Sequence, residues 1–119
     1  MGCFVPRPSF ALPASHSPPG WGYVTESELQ IQIVKIAIDY GDLIFHSSDS
    51  RRDIGPGFPD LTIAGRHRVL FAELKSATGN LSTEQTNWKY RLIAAGMYWV
   101  LWKPRDLANG HIEAVLREL

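Results

Sequence analysis

Cysteine is almost absent from this chain. Cys3 is the only one in 119 residues, which excludes a disulfide framework and a thiolate zinc site and makes a reducing compartment the default. His46, His67 and His111 have no partners at ligand spacing, and no Ser/His/Asp order points to nucleophilic catalysis. No apolar run approaches the eighteen or more residues of a membrane span. The first residues have neither the charged start nor the apolar block of a signal peptide. A cytoplasmic protein with no membrane partner is expected. Excess charge is missing too: twelve Lys and Arg balance twelve Asp and Glu, which removes the simplest electrostatic argument for a nucleic-acid partner.

What is present is enough hydrophobic mass, 45% of the residues, for one domain with a core that needs no covalent staple. The charge is also unevenly spread. From Arg51 to Arg105 there are nine Lys or Arg against four acids, Asp53, Asp60, Glu73 and Glu84. A basic centre can bind phosphate even when the total is neutral.

Five of the eight prolines fall in residues 1–22 without periodicity, so that stretch reads as an extended or disordered arm, with residues 23–119 as the single domain. Thr25-Glu26-Ser27-Glu28 opens a helix as a capping box, with Leu29, Ile33, Ile36, Ala37 and Tyr40 on one face and Gly41 as its stop. Leu43 to His46 is a strand, and residues 47–57 form a polar, glycine-rich loop carrying Arg51 and Arg52. Asp60 to Ala64 is a second strand, Gly65 to Arg68 a basic turn, and Val69 to Lys75 a third strand. Ser82-Thr83-Glu84-Gln85 caps another helix, closed by Gly96. Met97 to Lys103 reads as a heavily buried strand ended by Pro104, and His111 to Leu119 as a short helix. Trp88, Trp99 and Trp102 are expected in the core. This order makes the last connection a crossover, so the fourth strand can run parallel to the third.

The chemistry concentrates in Pro59-Asp60 and Glu73-Leu74-Lys75. Strand side chains alternate, so Glu73 and Lys75 share a face, in a run otherwise apolar on both faces. Glu-x-Lys at a strand end is often an ordinary ion pair, and Pro-Asp often just begins a strand. Together, on adjacent strands, they place two carboxylates and an ammonium where a divalent ion would offset the carboxylate repulsion. That is the chemistry of a metal-dependent nuclease. At about 100° per residue, Glu26 falls within the arc of Leu29, Ile33, Ile36 and Ala37 and faces the same sheet, whereas Glu28 lies outside it as the capping acid. Gln85 is open to two readings: a cap reaching back to Ser82, or a site residue, since it shares a face with Trp88 and Leu92. Arg51, Arg52, Arg66 and Arg68 are candidate phosphate contacts.

These residues, in this order, resemble the PD-(D/E)XK nucleases, and more closely the small stand-alone VRR-Nuc nucleases of phages and bacteria. The likeness covers about residues 25–103 and rests on four segments: Thr25 to Gln30, Gly57-Phe58-Pro59-Asp60, Glu73-Leu74-Lys75, and Ser82 to Gln85 with Gly96. It implies a restriction-endonuclease-like α/β core, a mixed four-stranded sheet flanked by helices. It further implies that Asp60, Glu73, the Leu74 carbonyl and Glu26 hold Mg²⁺ or Mn²⁺, that Lys75 serves the attacking water, and that Gln85 shapes the site. The expected activity is endonucleolytic hydrolysis of DNA, selective for branched forms such as Holliday junctions, by a homodimer needing no small-molecule cofactor. The competing reading keeps the fold as a weakly active binding or assembly module, a nickase, or a subunit of a larger phage or restriction complex.

Overall fold

The computed structural model describes residues 24–47 and 55–119. The expectations for the proline-rich arm and for Arg51 and Arg52 lie outside the described residues. The elements are α1 (Glu26–Asp39), β1 (Leu43–His46), β2 (Leu61–Ala64), β3 (Val69–Leu74), α2 (Thr83–Ala94), β4 (Tyr98–Trp102), α3 (Pro104–Ala108) and α4 (His111–Glu118).

Helix α1 begins where expected. The Glu28 N–H donates to Thr25 Oγ1 at 3.1 Å, and the Thr25 N–H donates to Glu28 Oε1 at 2.9 Å. Its buried stripe is Leu29, Ile33, Ile36 and Ala37, and the chain turns out through Gly41 at φ +82°. At left-handed φ a side chain would crowd the following carbonyl, which is why glycine ends the helix.

The sheet order is β1-β2-β3-β4. The β1–β2 and β2–β3 pairs are antiparallel, and β3–β4 is parallel, reached by the α2 crossover. Register decides the two faces. Leu61 and Ile63 of β2 and Leu70, Ala72 and Leu74 of β3 point to one side and are buried with the α1 stripe, Trp102, Ile112 and Leu116. Each of these Leu and Ile side chains contributes about 1.5–3 kcal/mol by leaving water. The opposite face carries Thr62, Phe71, Glu73 and Trp99.

Helix α2 lies over the β3–β4 half of that second face. Phe58 stands edge-on to both Phe71, centroids 5.9 Å apart, and Trp88, 5.0 Å apart. The Trp88 indole N–H donates to the Pro56 carbonyl at 3.1 Å.

Three expectations are corrected. Strand β4 is half-buried except at Trp102, because it is a sheet edge and α2 covers it only in part. Trp88 and Trp99 are accordingly half-buried, and of the three tryptophans only Trp102 is in the core. Pro104 does end β4, but it also starts a helix, α3, that the sequence reading lacked. Proline suits a first helical position, where its missing N–H has no partner to lose.

Candidate active site

Antiparallel register builds the centre of the site. Leu61 pairs with Ala72, so one step outward Asp60 comes level with Glu73 on the same face, as a cross-strand pair. Asp60 is fixed by its own neighbour strand: the Leu74 N–H donates to Asp60 Oδ2 at 2.9 Å. Lys75 continues the β3 ladder through its N–H to the Trp102 carbonyl, 3.1 Å, and its stem packs beside Gly79.

Glu73 is 2% exposed, the one buried charged residue among those described. Its Oε2 accepts from Gln85 Nε2 at 2.9 Å, while Oε1 is buried and, in the ionised carboxylate, accepts from no described group; only a protonated Glu73 bonds to Asp60. Gln85 makes both contacts at once, on the two ends of one amide. Its Oε1 accepts from the Ser82 N–H at 2.8 Å, completing the cap of α2, while its nitrogen reaches the sheet.

Gly57 makes this contact possible. A Cβ there would lie 2.5 Å from the Glu84 carbonyl carbon and 2.7 Å from the Gln85 nitrogen. The loop leading to Asp60 thus presses directly on the first turn of α2. No rule of composition signals that close approach.

Burial raises the Glu73 carboxyl, helped by a hydrogen bond to Asp60 and by Asp60's charge, and opposed by Lys75; Glu26 adds a smaller push upward. Together they carry it from an ordinary 4.5 to about 9. In this range the folded, metal-free chain holds a proton that the unfolded chain has released, so stability falls as pH rises. The expected slope is at most about 1.4 kcal/mol per pH unit between pH 5 and 9. Denaturant midpoints in EDTA across that range would show it, and Glu73→Gln should flatten it. Equal slopes in the two proteins would discard this account.

The chemistry of the donors suits a hard divalent ion. A buried carboxyl that shares a proton with a second carboxylate can exchange that proton for an ion bound by oxygens of both. Among the described residues no three His, Cys, Asp or Glu side chains converge as a ready ligand group. Mg²⁺ does not require one, since it binds through one or two carboxylates and keeps several waters.

The remaining candidates are spread out. Glu26 is exposed in the first turn of α1, near enough for its charge to act on Glu73. Arg66 and Arg68 are exposed in the β2–β3 turn, at the other end of β3, about 16 Å from Glu73 at ~3.3 Å per residue. Arg68 stacks over Tyr98 at 4.1 Å. The structure brings together Asp60, Glu73, Lys75 and Gln85, and leaves those two arginines apart.

No described helix is long and apolar enough to cross a membrane. The sequence matches no protein-family model and no curated protein. Solved structures do match. A VRR_NUC domain aligns with 72% of this chain and 92% of its own length, at 20% identity and TM-score 0.59. A VRR_NUC domain protein aligns with 76% of this chain and 84% of its own, at 23% identity and TM-score 0.57. With its mixed sheet, crossover helix and order of elements, the chain has the restriction-endonuclease-like fold of the VRR_NUC domain.

Proposed function

We propose that the protein is a metal-dependent DNA endonuclease of the VRR-Nuc kind, selective for branched DNA. The observation that carries this reading is Glu73, buried beside Asp60 with one oxygen that, in the ionised carboxylate, accepts from no described group. A structural ion pair has no use for that orphan oxygen. Asp60, Glu73, the Leu74 carbonyl and Glu26 are the proposed holders of Mg²⁺ or Mn²⁺. When bound, such an ion activates water and neutralises charge on the scissile phosphate. Asp60 is oriented for this by the Leu74 N–H, and Glu73 by Gln85. Lys75 Nζ donates a hydrogen bond to the attacking water and aligns its lone pair with phosphorus.

The test is a substrate panel: a four-way junction, a flap, a linear duplex and single strands, each with Mg²⁺, Mn²⁺ or EDTA. Cutting of the junction in both ions, and of nothing in EDTA, is the expected result. Junction cleavage undiminished by EDTA, or binding without any cleavage, would reject the reading.

Two symmetric cuts need two sites, and each chain carries one, so we assign a homodimer. The surface that supports it is the uncovered half of the sheet. Leu43 is 76% and Phe45 64% exposed on the edge strand β1, and Val69 is 43% exposed in the same row as Leu43 and Ala64. The strand Leu43-Ile44-Phe45-His46 lacks proline, lysine and acid, the usual protections of an open edge. Two copies can pair β1 with β1 across a two-fold axis and bury both rows. Phe45→Glu should halve the sedimenting mass and convert paired cuts to nicks; an unchanged mass would remove β1 from the interface.

A further inference from the structure

We infer that the outer face of α2 is a binding groove for an unpaired segment of the nucleic-acid strand, with Tyr90 as a base-stacking platform and Arg91 as its phosphate contact. The inference rests on the nuclease reading for its substrate and goes beyond it in locating the strand. It starts from an oddity of α2: the helix has no fully buried residue, and Tyr90 is turned to solvent rather than packed inward. Asn87, Tyr90 and Arg91 stand at i, i+3 and i+4, hence on one exposed side. With Trp88 they line a wide, open groove.

The chemistry of the lining is specific. Tyr90 is 62% exposed, and its ring is flanked by the Lys89 ammonium, 5.4 Å from the ring centroid. Lys89 also sits 5.2 Å from the Trp99 ring, so this cation is held among aromatic faces rather than spread into solvent. Trp88 is anchored by its indole N–H on Pro56, which makes it a fixed wall. An aromatic face beside arginine is what unpaired bases and their phosphates use, because stacking reads any base and the cation follows the backbone. Paired bases inside a duplex present no such faces.

Position completes the argument. Gln85, in the first turn of the same helix, touches Glu73. Tyr90 and Arg91 lie five and six residues further on, about 8–9 Å along the axis at 1.5 Å per residue. That is two to three nucleotides of a stacked strand, at a rise of about 3.4 Å each. These two residues are turned away from Gln85, onto the outer side of α2, so a strand that leaves the carboxylates over the N-terminal end of the helix meets a basic, aromatic surface there.

The experiment measures binding of the full chain in EDTA, where no ion-dependent cutting intervenes, to a labelled oligothymidylate and to a duplex of equal length. Tyr90→Ala should weaken the oligothymidylate about tenfold, within the range of stacking one base on an aromatic ring, and leave the duplex unchanged. Tyr90→Phe should bind as the parent does. Arg91→Gln should weaken both and lower the salt slope for the single strand by about 0.7. Parent-like binding by Tyr90→Ala overturns the proposal. So does a loss of self-association in that variant with oligothymidylate binding intact, which would make α2 a protein interface. If the parent binds oligothymidylate through Tyr90 yet cuts no substrate, the groove stands and the nuclease reading falls; if it cuts and Tyr90→Ala binds normally, the reverse holds.

Discussion

Asp60→Asn is expected to lower ion-dependent cleavage by about 10³-fold or more, since several kcal/mol of transition-state stabilisation depend on the ion being held. In EDTA near pH 7 the same variant should be no more stable than its parent. The amide retains an oxygen for the Leu74 N–H, now 2.9 Å from Asp60 Oδ2, so the strand ends stay in place. Glu73 already holds a proton in the metal-free chain at this pH, so the substitution relieves no pair of carboxylate charges and only exchanges a charged hydrogen-bond acceptor for a neutral one. The combined signature is lost rate and a melting temperature that no longer rises on adding Mg²⁺. Glu26→Gln should share both effects in milder form, whereas Glu28→Gln should cost only a little stability through the Thr25 cap. Lys75→Ala should lose turnover and keep the Mg²⁺-induced rise. Initial rates and melting temperatures, with and without Mg²⁺, decide the matter; near-parental cleavage by Asp60→Asn would end the metal assignment.

Gly57→Ala is expected to cost about 2–5 kcal/mol and most of the activity, although the change is one methyl group outside the ligand set. Two penalties add. At φ +89° a side chain crowds its own backbone by roughly 1–2 kcal/mol, and overpacking against a neighbour typically adds about 1–3 kcal/mol. Here the neighbour is backbone, the Glu84–Gln85 peptide at 2.5–2.7 Å, so the first turn of α2 must move and draw Gln85 from Glu73. Gly96→Ala is the control. It has φ +84° but nothing within 4 Å of the new carbon, so it should cost about 1–2 kcal/mol and leave cleavage intact. Denaturation curves and rates for the pair check this; equal losses in both would show that conformation alone, not the α2 contact, matters at position 57.

Much of the architecture was legible because its signals are local. Capping at Thr25 and Ser82, the stripe Leu29-Ile33-Ile36-Ala37, and the apolar run before Glu73 each specify an element within a few residues. The pairing of Asp60 with Glu73 was legible for a similar reason: two strands joined by a short turn have few registers that keep Leu61, Ile63, Leu70 and Ala72 on one face. Gln85 was half legible. A capping box accepts Glu or Gln alike, but a second carboxylate would repel Glu73, so Gln at that position already carried a hint of the site. What was not legible depends on how layers sit on one another. The incomplete cover of β4 by α2, the helix hidden behind Pro104, and the pressure of Gly57 on Glu84 are long-range outcomes that no window of sequence contains. The distance of Arg66 and Arg68 from the carboxylates follows from the hairpin itself, and a count of basic residues passes over it.

The absence of any buried residue in α2 places the site in a different light when considered as a matter of local unfolding. Opening free energies vary across a fold, and elements with little buried apolar surface open far below the global cost. The α1 stripe and β3 form the resistant part of this molecule, and α2 is the part that can lift away while they persist. Lifting it would release Glu73 Oε2 from Gln85 and expose the face of Phe71 and Trp99, yet leave Asp60 on Leu74. The Asp60–Glu73 pair is thus built into the durable half of the protein, and the group that aims Glu73 into the labile half.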